Sequence, residues 1–196
     1  MTQLIDTFVD HVKNASANPN FVHHKWFVTY HLEIVERIAN ELCDMYPEAD
    51  KEFVRLLVWL HDYGKVLDFD NQYTMTLEKG PEKLTEIGFD ADTVNKAIQA
   101  VATIDRKDRQ ELENAPIEIK IVSSADAASH HTGPFFAVYW YENTDKSIEQ
   151  LMADGVIKTT KDWDRKMVLP EVRAAFEQRH QLILEQNGQL PEKFLG

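Results

Sequence analysis

Between residues 24 and 46 the apolar side chains fall at three- and four-residue intervals. Phe27, Tyr30, Ile34, Val35, Ile38 and Leu42 form one stripe, the spacing of an amphipathic helix. The same period recurs over residues 3–13 (Leu4, Ile5, Phe8, Val9, Val12), about 50–62, and 90–104 (Val94, Ile98, Val101, with Asp90 or Asp92 as cap). Two further helices are expected around 135–153 and 170–187. Residues 14–22, NASANPNFV, and the polar stretch DFDNQYTMT are predicted as loops. Pro47 ends the long helix, Gly64 stands where the 50–62 helix would stop, and Pro81 opens a short helix. The segment IEIKIVSSADAASHH, from residue 117, begins with strand-like alternation. Its helical surroundings supply no partner strand, so a helix is predicted, with Ile117, Ile121, Val122 and Ala125 on one face. The expected fold class is all-α, a compact multi-helix bundle.

With 196 residues the chain is long enough for one domain, 1–196, with a real core. The net charge of -12 repels phosphate backbones and anionic lipid at long range, so neither a nucleic-acid polymer nor a membrane surface is an expected partner. No apolar run approaches the roughly 20 residues of a membrane span. MTQLIDTFVD has neither the basic nor the apolar region of a signal peptide. The single Cys43 excludes an intrachain disulfide and fits a cytoplasmic setting; it reads as a small buried side chain without an activating partner.

Three polar sites fall on core-facing positions. His31 lies inside the 24–46 stripe, so its ring points inward. His61-Asp62 follows the apolar run VRLLVWL. Asp126 sits among small residues in SSADAAS on a helix that is apolar upstream. With 8 His in the chain, a lone His-Asp dipeptide proves nothing. Buried carboxylates, however, need partners. A divalent cation held by two imidazoles and two carboxylates satisfies all three sites together, and this donor set suits Mn, Fe, Co, Ni or Zn. Such an ion leaves positions for water and substrate. A hydrogen-bonded core network without metal is the alternative from the residues alone.

The order H…HD…D, with apolar residues before HDYGK and A-D-A around the last Asp, resembles the HD-domain superfamily of metal-dependent phosphohydrolases. The resemblance spans about residues 24–130, the metal-site core, and leaves about 133–190 as a C-terminal helical elaboration. It implies an HD-domain-like helical bundle and a divalent metal (Mn, Fe, Co, Ni, Zn or Mg) on His31, His61, Asp62 and Asp126. It also implies hydrolysis of phosphomonoesters or phosphodiesters, often of nucleotides. No His separates His61 from Asp126, whereas members with two metals carry additional His there, so a mononuclear site is expected. HDxxED, the signature of the alarmone-hydrolysing branch, is absent.

Around this set, Asp62 is a candidate for orienting or deprotonating the attacking water. Lys65 is either a helix-end lysine or, as the resemblance suggests, a phosphate contact. His130, four residues after Asp126, is placed on the same face and is a candidate substrate or supporting contact; His131 points elsewhere. His24 is a candidate at the site mouth. Arg106, with Lys107 and Arg109, forms a basic patch that is either solvated or phosphate-binding. Phe135, Phe136, Tyr139, Trp140 and Tyr141 read mainly as core, with part available to wall a base pocket. The expected function is hydrolysis of a nucleotide or other small phosphate ester through a metal-activated water. The alternative is a catalytically idle module of the same fold that binds a nucleotide or protein partner, with a structural metal.

Overall fold

A computed structural model describes residues 1–188 and Lys193, and among these it contains helices and no strand. The elements are α1 (Thr2–Ser16), a π-helical turn (Val28–Leu32) running into α2 (Glu33–Met45), α3 (Lys51–Leu60) and α4 (Tyr63–Leu67). There follow α5 (Gln72–Ile87), α6 (Ala91–Arg106), α7 (Arg109–Asn114) and α8 (Ile117–His130). The chain continues with α9 (Phe135–Glu142), α10 (Ile148–Lys161), a second π-helical turn (Asp162–Lys166) and α11 (Pro170–Asn187). Asp50 caps α3 by accepting the Phe53 amide, and Asp90 caps α6 by accepting the Thr93 amide.

α8 is the spine. Residues 121–131 are buried without interruption, and α2, α3, α6, the second π-turn and α11 pack around it. The small residues of SSADAAS let those neighbours approach from all sides, so the strand-like start of this segment runs on into a fully buried helix from Ile121. Phe8, Phe27, Trp59, Leu60 and Ile104 fill the surrounding core.

Several expected boundaries move. α1 continues to Ser16, so the first loop begins later than residue 14. Residues 24–26 are turn, not helix, and the expected long helix opens with the π-turn. Tyr30 is consequently exposed. Gly64 lies inside α4 rather than ending a helix; a side chain there would overlap the Gln72 carbonyl oxygen and approach Thr76 Oγ1 to 2.6 Å. DFDNQYTMT is loop only at its start, because α5 begins at Gln72, and Pro81 lies within α5 instead of opening it. There the packing of Gly80 on Leu60 and Ile98 overrides the break that proline favours. The expected 135–153 helix is two helices, split where Ser147 and Gln150 form a capping box for α10.

Candidate metal centre

Each site residue is delivered by a distinct local device. His31 rides on the first π-turn, the kind of insertion frequently found at functional sites. His61 ends α3, and Asp62 occupies the link between α3 and α4 in the sparsely populated bridge region (φ -115, ψ 14). Asp126 and His130 lie one turn apart on the buried α8. Their side chains meet at one point. His31 Nε2 is 3.0 Å from Asp62 Oδ2 and 3.7 Å from Asp126 Oδ1. His61 Nε2 is 3.5 Å and 3.7 Å from the same two oxygens, and His130 Nε2 is 3.5 Å from Asp126 Oδ1.

Proton accounting shows what these atoms offer. His61 Nδ1 donates to the Val58 carbonyl at 2.7 Å, so a neutral His61 presents a lone pair at Nε2. That atom is buried and has no hydrogen-bond partner. Ser129 gives its hydroxyl proton to the Asp126 carbonyl at 2.7 Å. His31 Nδ1, 3.0 Å from Ser129 Oγ, therefore donates, so a neutral His31, the form burial favours, keeps its Nε2 lone pair facing Asp62. His130 Nδ1 lies 2.9 Å from Asp162 Oδ2 and 3.0 Å from Lys158 Nζ, with its Nε2 on the Asp126 side. With neutral imidazoles, acceptors face acceptors at these distances, an arrangement that a shared cation relieves. Ligands about 2.1 Å from a common ion stand roughly 3.0–3.4 Å apart, close to the spacings found. The residues therefore fit a divalent metal, and a carboxylate or carbonyl behind each imidazole is the support metal-binding histidines ordinarily have.

The electrostatics differ between the two imidazoles. Burial pushes the His31 imidazole below its ordinary range. Burial also opposes protonation of His61, but Asp62 and Asp126 outweigh it and hold that imidazole high. For Asp62 and Asp126, burial favours the neutral acid. It is overcome by Lys65 at Asp62 and by Lys166 at Asp126, and both carboxyls lie well below the usual range. Burial, then Lys158, lowers His130 to about 3.

A cavity of about 720 Å³ opens from this centre. Trp26, Phe69 and Phe135 line it. Glu142 fixes the rim by accepting from Trp26 Nε1 and pairing with His23 Nδ1, each at 2.7 Å.

A family model described as the HD domain matches residues 28–130. The chain belongs to the HD domain family. That family is largely one of metal-dependent hydrolases. Neither a search of curated proteins nor one of solved structures gave a match. The HD match contains His31, His61, Asp62, Lys65, Asp126 and His130, all of which the fold brings to the cavity.

Two expected site residues are not brought there. His24 binds the Phe21 carbonyl through Nδ1 at 2.8 Å, because residues 24–26 form a turn; its neighbour His23 lines the cavity instead. Arg106, exposed at the end of α6, is claimed by Glu111, and Arg109 by Glu113. Only Lys107 of that patch reaches the cavity, with Nζ 2.7 Å from the Tyr73 hydroxyl. The aromatic residues of α9 are not core: none is buried, and Phe135, Phe136 and Tyr139 line the cavity.

Sequence reasoning missed Asp105, Lys158, Asp162 and Lys166, all at the cavity. Lys158, Asp162 and Lys166 recur every four residues, a legible sign of one shared helical face, although surface ion pairs share that spacing. Asp105 Oδ2 is buried without a partner, and burial, then the Asp62 charge, raises its carboxyl to about 6.

Proposed function

We propose that this HD domain is a metal-dependent phosphohydrolase acting on a nucleotide or another small phosphate ester. The observation that carries it is the convergence of imidazole lone pairs on the Asp62 and Asp126 carboxylates, beside lysines and an aromatic-walled cavity. His31, His61, Asp62 and Asp126 would hold one divalent ion, of the Mn, Fe, Co, Ni, Zn or Mg class. When bound, the ion supplies an acidified water and polarises a phosphoryl oxygen.

The chain's own residues supply the rest. Val58 and Ser129 fix the His61 and His31 rings so that Nε2 faces inward. Lys65 Nζ, 2.5 Å from Asp62 Oδ2, stands within reach of a phosphoryl oxygen beside that carboxylate. Asp62 has the position to orient an attacking water. Trp26, Phe69 and Phe135 offer aromatic surface at the cavity wall to a base or another planar leaving group. The substrate is a small molecule, consistent with the chain's acidic balance, and the setting we assign is cytoplasmic.

The test is a panel of phosphomonoesters, phosphodiesters and nucleoside triphosphates assayed with Mn²⁺, Co²⁺, Ni²⁺ and Mg²⁺. Turnover of at least one class is expected to require the added ion and to fall by at least about a hundredfold in Asp62→Ala. One observation favours the idle-module alternative: Lys65 and Lys166 already partner both carboxylates, so the site is electrostatically satisfied without chemistry. Metal binding and ligand-induced stabilisation with no turnover across the panel would establish that alternative.

A further inference from the structure

The carboxylates at the centre are shared between two kinds of cation. Asp126 turns Oδ1 toward the imidazoles and Oδ2 toward Lys166 Nζ. Lys166 is 3% exposed, and a buried ammonium is costly unless paired. Beside it, Lys158 Nζ lies 2.7 Å from Asp162 Oδ2 and 3.0 Å from His130 Nδ1. Both lysines line the cavity.

Neither belongs to the segment that the HD model matches, which ends at residue 130. Their placement is built, not incidental. Ser123 Oγ donates to the Lys166 carbonyl at 3.1 Å. Ser124 Oγ accepts the amides of Val168 and Leu169 at 3.1 and 3.2 Å. Two serines of α8 thus anchor the chain just after the π-turn and hold the Lys166 backbone against the helix that carries Asp126.

A divalent ion drawn to Asp126 takes much of the negative charge that Lys166 relies on. The lysine then faces a dication across one carboxylate, with Lys158 nearby and only Asp162 to offset the two ammonium groups, and an added anion relieves the excess positive charge. The substrate of the proposed reaction carries one. We infer that Lys158 and Lys166, supplied by the C-terminal elaboration, form a phosphate clamp that couples anion binding to metal binding at this centre. The inference rests on the function proposed above and adds the residues that select the anion. It carries an unusual sign: Lys166 opposes the ion when the ion binds alone and favours it when phosphate is present. Coupling of this kind is reciprocal, so phosphate strengthens metal binding by the factor by which metal strengthens phosphate binding.

The test uses the full chain, Lys166→Gln and Lys158→Gln, with Mn²⁺ and inorganic phosphate as probes in isothermal titration calorimetry. For the wild type, saturating phosphate is expected to tighten Mn²⁺ binding by at least about fivefold. Lys166→Gln is expected to bind Mn²⁺ alone at least about threefold more tightly and phosphate at least about tenfold more weakly. Lys158→Gln, farther from the carboxylate pair and only partly buried, is expected to keep Mn²⁺ affinity within about twofold and to weaken phosphate by at least about fivefold. It keeps the test decisive should Lys166→Gln fail to fold. Phosphate affinity within about twofold of wild type in the Mn²⁺-loaded, folded variants overturns the clamp and leaves the proposed function standing. A wild type that binds no Mn²⁺ overturns the proposed function. That result overturns the clamp as well, since no metal is left for the anion to be coupled to.

Discussion

Ser129 decides which nitrogen of His31 is available. Its only proton goes to the Asp126 carbonyl, so the imidazole gives a proton to Ser129, and in the neutral ring Nε2 is left bare toward Asp62. Val58 does the same for His61 through a carbonyl that can only accept. Asp105 is the opposite case, a carboxyl at the cavity with a buried oxygen and no donor to meet it. Because the folded chain holds that proton up to about pH 6 while an unfolded Asp releases it near about pH 4, the folded state binds more protons between these values. Stability therefore falls as pH rises through this window. In EDTA, Asp105→Asn is expected to melt a few degrees above the wild type at about pH 8 and level with it at about pH 4. An equal difference at both pH values would refute the assignment. At this scale His31, His61, Asp62 and Asp126 were legible because inward-facing polar residues on apolar stripes stand out. Asp105 was not, since TIDRKD shows no sign of which helix end is covered.

Both π-helical turns carry site residues: the first places His31, the second Asp162 and Lys166. The flanking apolar period made His31 visible while the widened turn that carries it was not, and Asp162 and Lys166 lay outside every expected helix. The second turn is locked from outside. Trp163 is stacked on His180 at 4.2 Å with the rings 10° from parallel, and the Arg173 guanidinium lies 4.3 Å from the indole. Trp163→Ala is expected to lower turnover at least about tenfold while Mn²⁺ affinity stays within about twofold, since the clamp is loosened and the ligands are not. Unchanged turnover would mean that the stack serves stability alone. Gly64 acts between elements. Its amide donates to Thr76 Oγ1 at 2.8 Å, and α4 lies so close to α5 that Gly64→Ala is expected to cost about 1–3 kcal/mol in urea unfolding. A loss below about 0.5 kcal/mol would contradict the tight contact. The glycine of HDYGK was noticed in the sequence for a different purpose, because helix-stop and close-approach glycines look alike until the neighbour is known.

Over the whole molecule, the all-α fold follows from helical periodicity and a buried α8 of small residues, and the HD match confirms the family to which the resemblance pointed. Among the described residues no helix is long and apolar enough to cross a membrane. Interleaving of the C-terminal helices with the centre lay beyond the sequence, since it depends on serines of α8 finding backbone groups some 45 positions downstream. Everything proposed for function rests on the centre holding a divalent ion. Calorimetric titration of EDTA-treated protein with Mn²⁺ tests this directly. One ion per chain is expected for the wild type, with affinity weakened at least about tenfold in His61→Ala and in Asp126→Ala. No binding by the wild type, or affinity unchanged in both folded variants, would contradict it.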